Sequence, residues 1–335
     1  MSSVLLRALG VSGKALSQSA SSYLQHTSTV AVDCDAGYLL IDQHGEKGVR
    51  KSMEDEYVIC ASLKTIAPSL PSAYDFTVCG LFDGHGGGQC AAFAKSHFVH
   101  EVALQLAQHV TSAEESSSEI SEIIFRKSVN AACCRLDSRI ANELEFQTLQ
   151  QVDTITDGCT ALLIFINRNR IFVLNLGDSS AYLCRKLDSV VHAIPLNEVH
   201  KAWSQKEKER ILHYGGTVEG GRVNGVLDVT RSFGDLNLKR FGIRCTGTYR
   251  QATLDFACDE FILLGCDGFW SVYDAHEVCR KTLSFLKQEE ARASSDPQKP
   301  FIQLKKVCND LVEHALTTKR AQDNISVILI RLVRK

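Results

Sequence analysis

The sequence predicts an α+β protein of antiparallel sheets with helices packed outside them. Three observations point there. Short apolar segments bounded by Gly, Asp or Asn follow one another in runs, without strict alternation with helices. Longer stretches of helical periodicity stand apart from those runs. Apolar residues make up 44% of the 335 and charged residues 23%, so the chain is able to bury a core while remaining ordinary for a globular protein.

Taken in order, residues 76–82 are short, apolar and bounded, which predicts a strand. Residues 86–110 carry Ala91, Phe93, Ala94, Phe98, Val102, Leu104 and Leu106 at helical spacing. A second long helix is expected over 120–149. Residues 160–166, 170–176 and 180–184 read as three consecutive strands, with Asn167, Arg168 and Asn169 as a hairpin turn. Residues 206–213 form a short charged helix that stops at Gly215 and Gly216. A strand over 261–266, helices over 275–286 and 302–317, and a strand over 325–332 complete the chain. The polar stretches 111–118 and 289–300 read as loops, and there is no internal repeat.

Lys and Arg number 37 against 39 Asp and Glu, which excludes a basic nucleic-acid binder. The longest apolar run, Ala161 to Ile166, is far short of the roughly 20 residues of a membrane span. Thirteen cysteines occur at irregular spacing with no CxxC, and Cys79, Cys159, Cys184 and Cys266 lie in apolar runs. Reduced core thiols in a cytoplasmic setting are expected. Residues 1–31 hold eight serines, Arg7 and Lys14, and no acid precedes Asp33. Residues 1–32 therefore read as a disordered tail, or as a mitochondrial transit peptide, ahead of one domain over 33–335.

Acids gather at strand ends. Asp83-Gly84 follows the strand 76–82, Asp267-Gly268 follows 261–266, and Gly177-Asp178 follows 170–176. Asp323-Asn324 precedes the last strand, and Glu54-Asp55 precedes the apolar residues 57–60. Any one Asp-Gly is most simply a hairpin turn. Antiparallel strands bring alternate ends to one sheet edge, so five such sites could converge. Converging carboxylates repel, and hard divalent cations such as Mg²⁺ or Mn²⁺ offset that repulsion. His85, between Asp83-Gly84 and the run Gly86-Gly87-Gly88, fits a proton donor or acceptor.

These residues resemble the metal-dependent serine/threonine phosphatases of the protein phosphatase 2C family. Residues 48–55 (GVRKSMED) are similar to its first motif, and Phe82 to Gly87 (FDGHGG) to its signature. Residues 157–161 (DGCTA), 175–179 (NLGDS), 227–235 (LDVTRSFGD), 265–270 (GCDGFW) and 322–327 (QDNISV) follow in the family's order. The resemblance implies a central sandwich of two antiparallel β-sheets with helices on both outer faces. It implies hydrolysis of phosphoserine and phosphothreonine in proteins by a hydroxide bound to two Mg²⁺ or Mn²⁺ ions. Asp83 would bridge the ions. Glu54 and the Gly84 carbonyl would complete one site, Asp55 would hold a metal-bound water, and Asp267 and Asp323 would complete the other site. Arg50 would bind the substrate phosphate and His85 would protonate the leaving alkoxide. Asp178 would lie by a third, weaker ion shared with Asp267.

The implied partners are phosphoprotein substrates, with no nucleic acid and no membrane, and the implied enzyme is a monomer. The chain departs from the family pattern at Ser180 (usually Arg), at Val199-His200-Lys201-Ala202 (usually DHKP) and at Ser271 (often Asp). Three alternatives stand beside this reading. They are a phosphatase-like interaction module without activity, a metal-dependent hydrolase of a small phosphate ester, and a structural calcium-binding domain. Retention of all five ligand-type acids argues against the first, and turnover of phosphopeptide, nucleotide and chromogenic ester separates the others.

Overall fold

A computed structural model describes residues 29–34, 36–110, 120–144, 157–295 and 302–335. In chain order the strands are β1 (Val30–Cys34), β2 (Gly37–Glu46), β3 (Glu56–Cys60), β4 (Thr77–Phe82), β5 (Gly84–His85), β6 (Gly158–Cys159), β7 (Ala161–Asn167) and β8 (Arg170–Leu176). They continue with β9 (Ser180–Leu187), β10 (Val190–Pro195), β11 (Val218–Glu219), β12 (Arg222–Val223), β13 (Phe233–Gly234), β14 (Thr248–Thr253), β15 (Asp259–Gly265) and β16 (Ile325–Arg334). The α-helices are α1 (Gln89–His109), α2 (Glu122–Arg139), α3 (Gln205–His213), α4 (Asp267–Trp270), α5 (Ala275–Ser295) and α6 (Leu304–Thr317). No helix among the described residues is long and apolar enough to cross a membrane.

The chain divides into two compact units, one taking Arg50–Ser180 and Leu196–Ala252 and the other taking the remainder. The first is built on the antiparallel sheet β14-β8-β7-β4-β3. Every residue of β4 is buried, and α1 packs beside it. Phe76, Phe125, Phe165 and Phe172 interlock in this core with ring centroids 4.6–6.0 Å apart, mostly edge-on or tilted, as aromatic quadrupoles favour. The hairpin turns at Arg168, whose φ of 55° is left-handed, and Asn167 pairs with Arg170.

The second unit is built on β1-β2-β16-β15-β9-β10. Its longest ladder joins β2 to β16, from Ile325 opposite Glu46 to Arg334 opposite Gly37. Helix α6 lies on β2 and β16, burying Leu304, Val307, Cys308, Leu311, Val312 and Ala315. That stripe follows the spacing of one helix face. The α+β class and the antiparallel sheets are thus as expected, one large sheet to each unit.

Several boundaries differ from the sequence expectation. The sheet begins at Val30, ahead of residue 33, because Val30 and Val32 pair with Ile41 and Leu39 of β2. Strands β1, β2, β10 and β14 were not anticipated. Their polar content masks an apolar run, and pairing to neighbouring strands fixes them. Asp42 in β2, for example, is buried and accepts a 2.7 Å hydrogen bond from Thr29 Oγ1. Helix α5 continues to Ser295 through the expected loop at 289–300, because the mixed charges pair along the helix: Arg292 Nε donates to buried Glu289 at 2.8 Å. Helix α2 ends at Arg139 and passes into a wider π-turn at Ile140–Leu144. Residues 1–28, the expected loop 111–118, and residues 145–149 and 296–300 lie outside the described residues.

Candidate metal centre and active site

Strand register explains which acids meet. Pairing of β3 with β4 sets Glu56 opposite Phe82, so Glu54-Asp55 and Asp83-Gly84 are neighbours. Pairing of β7 with β8 sets Ala161 opposite Leu176 and places Thr160 beside Gly177-Asp178. Thr160 in turn grips Asp83: its N–H donates to the Asp83 carbonyl at 2.9 Å, and its Oγ1 accepts from the Asp83 N–H at 3.3 Å. Carboxylate oxygens of Asp83 consequently lie within 4.8 Å of those of Asp55 and of Asp178. Asp55 and Asp178 are buried and Asp83 half-buried. Gly84 has to be glycine, since a Cβ there would stand 2.3 Å from the Glu54 carbonyl oxygen. Ser52 Oγ donates to Glu54 Oε1 at 2.7 Å, and Arg50 is exposed.

His85 sits in β5, which pairs with β6, which pairs with β13. This small sheet sets His85 Nε2 2.8 Å from Asp235 Oδ2. Burial, the largest single influence on His85, lowers its pKa, but the hydrogen bond and charge of Asp235 together with Asp178 and Glu54 outweigh it, and the imidazole is raised above its ordinary value. Asp235 is itself nearly enclosed, at 5% exposure, and Ser232 Oγ donates to it. Behind them, Asp157 accepts from the Gln89 N–H at 3.1 Å at the start of α1, where a carboxylate complements the helix dipole. Burial and the Glu54 charge push the Asp157 carboxyl up, against the backbone hydrogen bond from Gln89.

Asp178 lies under a strap formed by residues 197–201. Asn175 Nδ2 donates to the carbonyls of Gly177 and Glu198 at 3.0 and 2.7 Å. The Gly177 N–H donates to His200 Nδ1 at 3.1 Å, which leaves Nε2 to donate to Thr248 Oγ1 at 3.1 Å. Lys201 Nζ forms an ion pair with the Asp178 carboxylate. His200 is held neutral, its pKa pushed down to about 3 mainly by burial, with Arg231 adding to the effect.

The other unit carries Asp267 and Asp323. Gly265 of β15 is opposite Val327 of β16, and the Cys266 N–H donates to the Ser326 carbonyl at 3.2 Å. The strand ends carrying the two acids are therefore adjacent. A Cβ on Gly268 would stand 2.2 Å from the Asn324 carbonyl oxygen and 2.8 Å from Asp323 Cβ, so glycine allows this approach. Asn324 N–H donates to Asp323 Oδ1 at 2.7 Å, and its side chain donates to the Lys47 carbonyl at 3.0 Å.

Within one unit the fold thus gathers Glu54, Asp55, Asp83, Gly84, His85 and Asp178, and within the other Asp267 and Asp323. The carboxylates and the Gly84 carbonyl offer oxygen ligands, which fit a hard divalent ion better than zinc. Asp235, Asp157, His200 and Lys201 were missed as functional residues by the sequence reading. Asp235 ends a motif that was read, but nothing in one dimension says that it meets a residue 150 positions away.

Comparison with known proteins agrees with this arrangement. The model of the protein phosphatase 2C family matches residues 40–325. An integrin-linked kinase-associated serine/threonine phosphatase 2C of Bos taurus is 33% identical over 309 residues, covering 89% of this chain and 79% of that one. A probable protein phosphatase 2C 2 of Oryza sativa is 32% identical, covering 84% and 69%. A serine-threonine phosphatase 2C structure from Toxoplasma gondii superposes with a TM-score of 0.65 at 19% identity, over 91% of this chain and 99% of that one. With this span of matches and its motifs in register, the chain belongs to the protein phosphatase 2C family.

Proposed function

We propose that this chain is a protein serine/threonine phosphatase that works with two Mg²⁺ or Mn²⁺ ions. The observation that carries the reading is Asp83, whose carboxylate lies within 4.8 Å of two others, Asp55 and Asp178. Such crowding is costly for anions unless a cation offsets it. Asp83, Glu54, the Gly84 carbonyl and Asp55 are the groups that would hold one ion, and Asp267 and Asp323 are those that would hold the other. When bound, the ions would supply Lewis acidity and make water a nucleophile near neutral pH.

The chain's own residues do the rest. Arg50 carries the fixed charge that binds the phosphoryl oxygens before and during reaction. His85 holds a proton on the nitrogen facing away from Asp235, for delivery to the alkoxide oxygen of serine or threonine. A group in this role contributes roughly 10²–10⁴-fold. Asp235 orients the ring and stabilises its charge. No cysteine or serine is required as nucleophile. Phosphoproteins are the proposed substrates, which the names of the relatives support.

The test is turnover of a phosphothreonine peptide after chelation. EDTA is expected to abolish it and Mn²⁺ to restore it, while Asp83→Asn loses activity at every Mn²⁺ concentration. Asp267→Asn is expected to raise the Mn²⁺ needed for half-maximal rate. Full activity after exhaustive chelation would refute the reading.

A further inference from the structure

His85 relies on Asp235, and Asp235 relies on an unusual backbone. Its φ of 49° and ψ of 40° lie in the left-handed region, which a residue with a Cβ disfavours and keeps only where its surroundings hold it. Gly234 before it is left-handed too, at φ 70°. Two backbone hydrogen bonds act on Asp235 directly. Its N–H donates to the Asp157 carbonyl at 3.0 Å, and its carbonyl accepts from the Leu238 N–H at 2.9 Å. Neither reaches the Ser232 carbonyl or the Gly234 N–H, which come just ahead of it.

Those two groups are held from α2. Asp137, which belongs to none of the motifs read in the sequence, accepts from the Gly234 N–H on Oδ1 at 3.0 Å. The same carboxylate binds Lys239 Nζ, 3.1 Å from Oδ1 and 3.0 Å from Oδ2. Lys239 Nζ also donates to the Ser232 carbonyl at 2.8 Å. Gly234 is buried and the Asp137 side chain is only 14% exposed, so a donor left without its acceptor here is costly. Helix α2 packs along α1 and against β13, which makes it a firm anchor.

We propose that Asp137 is a positioning residue for the phosphatase reaction. It receives the Gly234 N–H, steadies the Ser232 carbonyl through Lys239, and so keeps Asp235 in the backbone conformation that presents its carboxylate to His85. This rests on the reading of His85 as the proton donor. Loss of Asp137 leaves the Gly234 N–H without its acceptor and Lys239 without its anchor. Residues 232–235 then relax towards ordinary backbone angles, which carries the Asp235 carboxylate away from His85 Nε2. His85 loses its orientation, and only a substrate whose leaving group needs a proton registers the loss.

The experiment measures kcat of the full-length enzyme at saturating Mn²⁺ on a phosphothreonine peptide and on nitrophenyl phosphate, and follows amide exchange of residues 232–236 by mass spectrometry. Asp137→Ala is expected to lower the peptide-to-nitrophenyl ratio of kcat about tenfold, the low end of what losing an orienting partner costs, and to speed exchange in that segment. Asp137→Asn, whose Oδ1 still accepts from Gly234, is expected to keep most of the ratio. Lys239→Met is expected to lower it about threefold, and it carries the test should Asp137→Ala not fold. Asn130→Ala is the structural control: it removes another fastening of the same helix, the 2.9 Å bond from Tyr249 Oη, and is expected to lower the melting temperature with the ratio unchanged. Equal losses on both substrates in Asp137→Ala, an Asn variant as impaired as the Ala variant, or the same fall in ratio in Asn130→Ala would each overturn the proposal. His85→Ala is run beside them. If it lowers the ratio while Asp137→Ala and Lys239→Met do not, the role of Asp137 falls and that of His85 stands; if it does not lower the ratio, both fall together.

Discussion

Gly158→Ala tests the catalytic reading without removing any functional group. A Cβ at this position would stand 2.2 Å from Asp235 Oδ2 and 2.4 Å from His85 Nε2, where ordinary contact begins at 3.4 Å. Each tip must retreat by about 1 Å, and the methyl enters beside a 2.8 Å hydrogen bond. The atoms that yield are ends of side chains, so the fold is expected to survive with an overpacking cost of about 1–3 kcal/mol. The ion pair is expected to break. A hydrogen bond to a charged group contributes about 1.5–3 kcal/mol, and without it His85 loses both its orientation and the partner that keeps it protonated. For a phosphothreonine peptide, whose alkoxide needs a proton, kcat is expected to fall about 10²-fold, within the range a general acid contributes. For nitrophenyl phosphate, whose leaving group needs none, the change is expected to stay within a few-fold. The assay compares kcat on both substrates at saturating Mn²⁺, with circular dichroism as the folding control. Equal losses on the two substrates, or full peptide turnover in a folded variant, would refute the role assigned to the His85–Asp235 pair.

Three further outcomes are expected. Lys201→Met should free the Asp178 carboxylate from its ion pair and lower the Mn²⁺ concentration for half-maximal rate, while Asp178→Ala should raise it; an unchanged titration in both would remove Asp178 from metal binding. His200, with a folded pKa of about 3 against about 6.5 unfolded, binds its proton mainly in the unfolded chain between those values, so its contribution is complete above pH 6.5 and declines as pH falls towards 3. His200→Gln should therefore flatten the acid-side loss of stability by up to about 1.4 kcal/mol per pH unit, measured by urea unfolding from pH 7 to 4; parallel pH profiles for the two proteins would contradict this. Removing residues 1–28, ahead of β1, should leave kcat/KM within about twofold, whereas removal through Asp35 strips β1 from β2 and should lower the melting temperature.

The strand-end acids and the order of the motifs were legible from the sequence, because a buried strand writes a continuous apolar run and Asp-Gly marks where it stops. Phe82 to His85 and Cys266 to Gly268 could be located for that reason. So could α1 and α6, whose buried faces repeat at helical spacing. Edge and mixed-polarity strands were not legible. In β2 the buried Asp42 breaks the apolar pattern, and hydrogen bonds from Thr29 Oγ1 and the Gln43 N–H help make that burial tolerable. In α5 the charges that read as a loop are a helix with paired faces.

The sequence by itself determined the family, the reaction class it implies and the ligand-type residues, since each is carried by local motifs whose residue types suit one chemistry. Tertiary structure alone decided which residues support those motifs. The contacts of His85 with Asp235, Asp178 with Lys201 and Gly177 with His200 join positions far apart in the chain. Strand register and loop closure set those distances, and neither leaves a mark at the individual positions. The physical reason is that a side chain's type is local, whereas its electrostatic partner is chosen by the path of the whole backbone.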